Sequence, residues 1–328
     1  MSHQLNAQCP FHYMWGNRKS NPAGDEGQDA PKKEPEAGKM PPPPFDGEMA
    51  TYFHVGGWAK ELLTYGFQLD AWQMQCCSKS REKLYISSFG EGYPTAKSVF
   101  GGVQGIHKSR NFHISYGWLS SQDFLNEIGF QGRGLGGSWY ATIKSVVGNK
   151  NEMLLSSKIL GGFEKSRLKT ELMVPIYKDP LCIGYFLVSP IQNWLLGYRA
   201  VYNMDDKEFH KHGLCLSYYN GITEVGMKLE NFNELRGSIF YRLGKNLAFA
   251  LKANLYNSED DRQFVVGAQY MFQYGSLLKV KIRDDAKIGL VYQSKLSPNI
   301  DVLYHIGLEG SDPLKGAHKL GVSCDFHC

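Results

Sequence analysis

The run Gly132-Arg-Gly134-Leu-Gly136-Gly137 satisfies the spacing G-x-G-x-x-G, which can cradle a pyrophosphate when it links a strand to a helix. Here Ser138-Trp-Tyr-Ala-Thr-Ile143 follows, and that segment is strand-like, so the glycines read as a turn. His210 and His212 place two imidazoles two residues apart, but no carboxylate or cysteine completes a metal set, and they read as a solvated turn. Adjacent Cys76 and Cys77 point to opposite faces of a strand and cannot easily bridge. A nucleophile elbow, a paired-acid motif and a P-loop are missing, so neither an enzyme nor a cofactor or metal is expected. What remains is charge. Lys60, Arg199, Lys228, Arg242, Lys252, Lys279, Lys281 and Arg283 are offset in part by Glu224, Glu230, Asp301, Glu309 and Asp325. Confined in a narrow aqueous space, such an excess raises the local anion concentration.

The elements that position these charges are read from alternation. Leu247, Phe249, Leu251, Ala253 and Leu255 alternate with Ala248, Ala250, Lys252, Asn254 and Tyr256; Leu278, Val280 and Ile282 alternate with Lys279, Lys281 and Arg283. Toward the end of the chain, Ile288, Leu290 and Tyr292 alternate with Lys287, Gly289 and Gln293, with Val291 breaking the pattern. Ile300, Val302, Tyr304, Ile306 and Leu308 alternate with Asp301, His305, Gly307 and Glu309, with Leu303 the exception. Leu320, Val322, Cys324 and Phe326 alternate with Lys319, Gly321, Ser323 and Asp325. Period two puts each apolar set on one face of a sheet. Charge on strand after strand of the other face fits a barrel with a wet interior better than a sandwich with a dry core.

From Tyr65 onward about 19 such segments are expected, near 65–74, 83–91, 96–105, 111–118, 124–130, 138–146, 152–160, 167–175, 181–189, 193–203, 212–219, 223–231, 236–243, 247–256, 262–271, 276–284, 286–294, 299–309 and 317–326. No helical segment interrupts them, which argues against a parallel α/β sheet. The expected fold is therefore all-β, a transmembrane β-barrel over 65–328. A run of ~18 apolar residues is absent, so no membrane-crossing helix is expected, and alternation explains why the mean hydropathy looks like that of a soluble protein.

Two elements precede the barrel. Ala50 to Thr64, within an element taken as 49–64, carries Val55, Trp58, Ala59, Leu62 and Leu63 on one helical stripe, with His54, Lys60 and Glu61 off it. So short a helix is unstable alone and must pack on something. Placed in the lumen it narrows the pore, and Gly56-Gly57 lets it approach the wall or hinge. Residues 1–48 hold five basic and seven acidic residues and the run Pro41–Pro44, and read as a disordered, proline-rich acidic extension. Its aromatic cluster, Phe11 to Trp15, reads as inert in preference to a docking motif. The chain beyond holds the whole positive excess, about +6. The seven cysteines are scattered, with no metal-type spacing, and are expected to be reduced.

Laid out this way, the sequence resembles the mitochondrial porins, the voltage-dependent anion channels, from about Thr51 to Phe326. Trp194-Leu-Leu-Gly-Tyr198, Arg236-Gly-Ser-Ile239, Gly289-Leu-Val-Tyr292 and His318-Lys-Leu-Gly321 carry the likeness in order, as does Thr51-Tyr52 with Tyr65-Gly-Phe67 around the helix. That family includes 19-stranded barrels, so the strand count is not independent of the resemblance. The resemblance implies a voltage-gated channel of the mitochondrial outer membrane for small anions and metabolites, adenine nucleotides included. It places nucleotide contacts at Lys287, Ile288, Gly289, His305, Ile306, Gly307, Leu308 and Glu309. It makes Lys319, Gly321, Cys324 and Phe326 the insertion signal of the last strand. The implied partners are membrane lipid, small anions and, weakly, adenine nucleotides, with the extension a candidate for protein contacts and a homo-oligomer allowed; nucleic acid is not expected.

The departures from the family are local. Gly57 stands where a lysine is usual, a second lysine falls in a two-residue deletion between Thr64 and Tyr65, and Ile143 replaces a membrane-facing glutamate known in some members. Gln273 replaces the acid three residues after Tyr270. These changes and the extension motivate an alternative, a divergent porin acting mainly as a membrane scaffold or docking platform with reduced conductance.

Overall fold

A strand with one greasy and one charged face satisfies its backbone by pairing on both sides, and only closure removes the unpaired edges. The computed structural model describes residues 52–327 except 65, 68–70, 80–83, 95–96, 110, 135, 149–153, 178, 257–263, 273–274, 313, 315 and 317. The extension 1–48 lies outside the described residues. Nineteen strands occur among the described residues: β1 (Trp72–Lys79), β2 (Leu84–Tyr93), β3 (Ser98–Lys108), β4 (Phe112–Leu119), β5 (Phe124–Gly134), β6 (Gly137–Gly148) and β7 (Leu154–Lys165). There follow β8 (Leu168–Tyr177), β9 (Leu181–Val188), β10 (Trp194–Asn203), β11 (Glu208–Tyr219), β12 (Thr223–Glu230) and β13 (Glu234–Leu243). The last six are β14 (Leu247–Tyr256), β15 (Phe264–Met271), β16 (Leu277–Arg283), β17 (Lys287–Ser297), β18 (Ile300–Glu309) and β19 (Lys319–His327).

Each strand pairs antiparallel with its sequence neighbours, and β1 closes the ring against β19 in parallel, Trp72 opposite Val322 through Cys77 opposite His327. The parallel seam follows from the odd number: in a meander of 19 strands the first and last run the same way. The expected strand positions hold within a few residues except at the first, which runs from Trp72 and not from Tyr65. The glycine run is the β5–β6 hairpin, with Gly136 at a φ of 74°, as expected of a turn. His210 and His212 lie inside β11 and not in a turn. Alternation turns His212 outward, where its Nδ1 lies 2.6 Å from the Tyr198 hydroxyl.

The two faces separate by chemistry. Large apolar side chains such as Trp118, Phe130, Ile143, Leu196, Ile239, Phe249 and Tyr304 stand exposed on the outer face. Among the described strand residues that face holds no Asp, Glu or Arg, and its one lysine, Lys165, ends β7. A continuous apolar exterior of this extent is a lipid-contacting surface. No helix of the described residues is long and apolar enough to cross a membrane, so the strands do the crossing. Cys76, Cys182, Cys215 and Cys324 are free thiols as expected; Cys77 departs from that expectation, being in a disulfide whose partner lies outside the described residues.

Candidate functional site

The inner wall is the candidate site, and its shape is set by the segment from Tyr52 to Phe67. The expected single helix is interrupted. A 3-10 turn, Tyr52–His54, is followed by α1 (Gly57–Thr64), and the break falls at Gly56, whose φ of 71° a helix does not allow. A Cβ there would overlap the Ser238 hydroxyl on β13, so glycine also permits the close approach. The predicted stripe is the buried one: Val55, Trp58, Ala59, Leu62 and Leu63 all face the wall. Trp58 stacks on Phe240 at 5.6 Å between centroids, and the leucines pack among Ala248, Ala250 and Gly267. Glu61, expected off the stripe, is buried as well, whereas Lys60 projects into the lumen.

The helix is held at both ends by charge of the sign its unpaired backbone groups require. At the N-terminus the Glu224 carboxylate of β12, 1% exposed, accepts from Gly57 N at 3.2 Å and from Trp58 N at 2.9 Å. At the C-terminus Lys279 Nζ donates to the Glu61 carbonyl at 3.2 Å, and Lys281 Nζ to the Leu63 carbonyl at 3.0 Å. Upstream, the Tyr52 hydroxyl donates to Glu230 Oε1 at 3.0 Å, and Arg199 pairs with Glu230 at 2.8 Å. Lys228 Nζ sits 5.0 Å from the Tyr52 ring centroid. Burial and the neighbouring Glu230 carboxylate push the Tyr52 phenol well above its usual range, so it stays a donor. Downstream, Gly66 lies against Val291 and Leu303, and Phe67 lies under Lys281 Nζ at 3.8 Å from its centroid.

All seven wall cations expected to line the pore (Arg199, Lys228, Arg242, Lys252, Lys279, Lys281 and Arg283) do face inward by register. They do not form one row. Lys279 is buried beneath the helix, Lys281 caps its end, and Arg199 and Lys228 flank Tyr52; Lys60 and Lys252 are exposed to the lumen. The positions that the resemblance assigns to nucleotide contact divide between the two faces. On β17 and β18 Lys287 pairs with Glu309, Ile288 with Leu308 and Gly289 with Gly307, and His305 pairs with Val291. Alternation sends Ile288, Ile306 and Leu308 outward to lipid, because consecutive residues of a strand cannot share a face. Of the inward members, Gly289 is filled by Phe67, and His305 is buried against the Ser323 hydroxyl at 2.9 Å. In β19, Lys319 and Gly321 face in and Cys324 and Phe326 face out.

Glu224 as the helix anchor was not visible in the sequence, where it stood only as one acid among five. Val291 and Leu303 did leave a signal: the two apolar residues that break alternation are those against which Gly66 packs.

A closed, lipid-facing β-barrel with a charged inner wall and a helix laid along it is a pore-forming membrane protein. The comparisons agree. A family model described as eukaryotic porin matches residues 48–321. The voltage-dependent anion-selective channel of Drosophila melanogaster is 21% identical over 281 residues, covering 84% of this chain and 98% of that protein. The human non-selective voltage-gated ion channel VDAC1 is 21% identical over 287 residues with the same coverage, and human VDAC3 is 19% identical over 279. The chain belongs to the eukaryotic porin family, a family of channels for small solutes.

Proposed function

We propose that this protein is a diffusion channel of the mitochondrial outer membrane with a weak preference for small anions, adenine nucleotides among them. The observation that carries the reading is the inner wall, where Lys and Arg outnumber Asp and Glu while the outer face is almost free of charge. Positive potential in a confined aqueous path favours anions, and a wide path keeps that preference small. Passage through such a pore needs no chemistry. For nucleotides, the contacts the wall can still offer are Lys287, Gly307 and Glu309, beside exposed Lys252 and Lys60. The last strand, through Lys319, Gly321, Cys324 and Phe326, serves as the insertion signal for that membrane.

Reconstitution in a planar bilayer under a KCl gradient tests the reading. The expected result is large conductance steps with a reversal potential on the chloride side; a cation-side reversal removes the anion preference.

Voltage-dependent closure is part of the same proposal, with α1 as the element whose displacement changes the bore. A second reading, a barrel retained mainly as a scaffold with reduced conductance, is favoured by the clamp on α1 from Glu224, Lys279 and Lys281. Steps far smaller than those of the Drosophila relative measured side by side would favour it.

A further inference from the structure

The outside of a barrel is convex, yet on its lipid-facing side β9–β12 form a groove of about 560 Å³. Phe186, Leu196, Leu214, Leu216, Met227 and Leu229 line it, all outward by register, and its walls are almost wholly apolar. One end is polar. Tyr198, at the rim, brings its hydroxyl within 2.6 Å of His212 Nδ1. With that hydroxyl donating, the ring hydrogen sits on Nε2, a donor on the lipid side that has no partner among the described residues. The imidazole stands at the edge of the apolar band, level with the β12–β13 turn. There the Asn231 N–H donates to the His212 carbonyl at 2.7 Å, and Asn231 Oδ1 accepts from the His212 N–H at 3.1 Å. Rings gather around it. Phe209 and Phe232 lie 5.3 and 6.2 Å from the imidazole between centroids, and Tyr202 lies 5.2 Å from Phe209. Phe209 and Phe232 are 61% and 64% exposed. Phe232 has a φ of 55°, in a hairpin turn position that glycine suits better, so its ring is held there at a backbone cost.

We propose that this groove and its rim are a seat for one choline phospholipid. An acyl chain fills the groove, the phosphate accepts from His212 Nε2–H, and the quaternary ammonium rests against the Phe209 and Phe232 faces. The chemistry of the rim selects this occupant. A quaternary ammonium has no N–H to satisfy and is drawn to aromatic faces. The outer face of β9–β13 presents no Lys, Arg, Asp or Glu among the described residues, so it matches a headgroup of zero net charge and offers an anionic one no counter-charge. A sterol would fill the groove and satisfy Nε2 with its hydroxyl, but it would leave the ring cluster bare.

The test reads lipid contact and not conduction, so it stands apart from the channel reading. The full chain is reconstituted in vesicles of phosphatidylcholine and phosphatidylglycerol in equal amounts with identical acyl chains. A trace of either lipid carrying a diazirine on one acyl chain is photoactivated, and crosslinked peptides are mapped by mass spectrometry. The choline probe is expected to label the peptides of Leu214 and Met227 severalfold above those of Ile128 and Ile143, outward residues of β5 and β6. The glycerol probe is expected to label the two regions alike. Phe232→Gly relieves the turn and removes a ring, so it folds at least as well. It is expected to lower the choline-probe excess by about two- to fivefold, the worth of one exposed cation–π contact. His212→Ala is expected to lower the excess as well, and His212→Gln, which keeps an N–H donor, to retain more of it. Even labelling of the two regions by the choline probe overturns the proposal. So does an equal excess with both probes, which leaves a groove for any acyl chain. Loss of the excess on adding sterol in equal amount assigns the seat to sterol and overturns it too. An unchanged excess in Phe232→Gly removes the aromatic recognition.

Discussion

The outer and inner faces of β14 share one backbone and one set of ladder hydrogen bonds, yet they solve different problems. Outward, Leu247, Phe249, Leu251 and Leu255 are large and apolar. Inward, Ala248 and Ala250 are small and buried beneath α1, and Lys252 and Asn254 follow where the helix no longer covers the strand. The outer face answers only to lipid, so any bulky apolar residue serves. The inner face answers to two neighbours, a helix and water, and its residue types change within one strand to suit each.

Four substitutions break or sharpen that contrast. The largest effect belongs to the outer face: Leu251→Arg exposes a guanidinium to hydrocarbon and costs about 2–4 kcal/mol if it lies near the midplane, read by reversible urea unfolding in bilayers. Under the helix, Gly267→Leu drives a side chain into Leu63 and the Val280 carbonyl, where even a Cβ would lie within 2.6 and 2.8 Å. Overpacking there costs about 1–3 kcal/mol, and Trp58 fluorescence is expected to shift red as α1 lifts. Glu224→Gln keeps the shape but removes the charge from the helix N-terminus. About 1 kcal/mol is lost, seen as severalfold faster hydrogen exchange at the amides of Gly57 and Trp58. Lys252→Glu, exposed to the lumen, changes stability by no more than about 0.5 kcal/mol but moves the reversal potential toward the cation side. If Leu251→Arg and Lys252→Glu change stability equally, the two faces are not different environments.

These residues also show what the sequence made legible. Alternation is a local signal, so β14, β16 and the last three strands could be placed from their own residues. The first strand starts later than expected because Trp72-Gln-Met-Gln-Cys-Cys-Ser-Lys79 alternates weakly, and Gly66 and Phe67, expected in that strand, lie against the inner wall instead. Which cations remain exposed was not readable either. Lys279 and Lys252 look alike as inward lysines, but one neutralises helix carbonyls and the other meets water, a distinction set by residues about 200 positions away. The nucleotide set divides between the faces for a simpler reason: a consecutive run such as Ile306-Gly307-Leu308 cannot present all its side chains to one face of a strand.

The central claim is tested most directly by placing single cysteines at 251 and 252 of the reconstituted full chain. Each is reacted with a water-soluble, membrane-impermeant thiol reagent and with a lipid-phase one. The account predicts that Lys252→Cys reacts with the aqueous reagent alone and Leu251→Cys with the lipid-phase reagent alone. Aqueous labelling at 251 with protection at 252 would contradict it, because the charged face would then be the one turned toward the membrane.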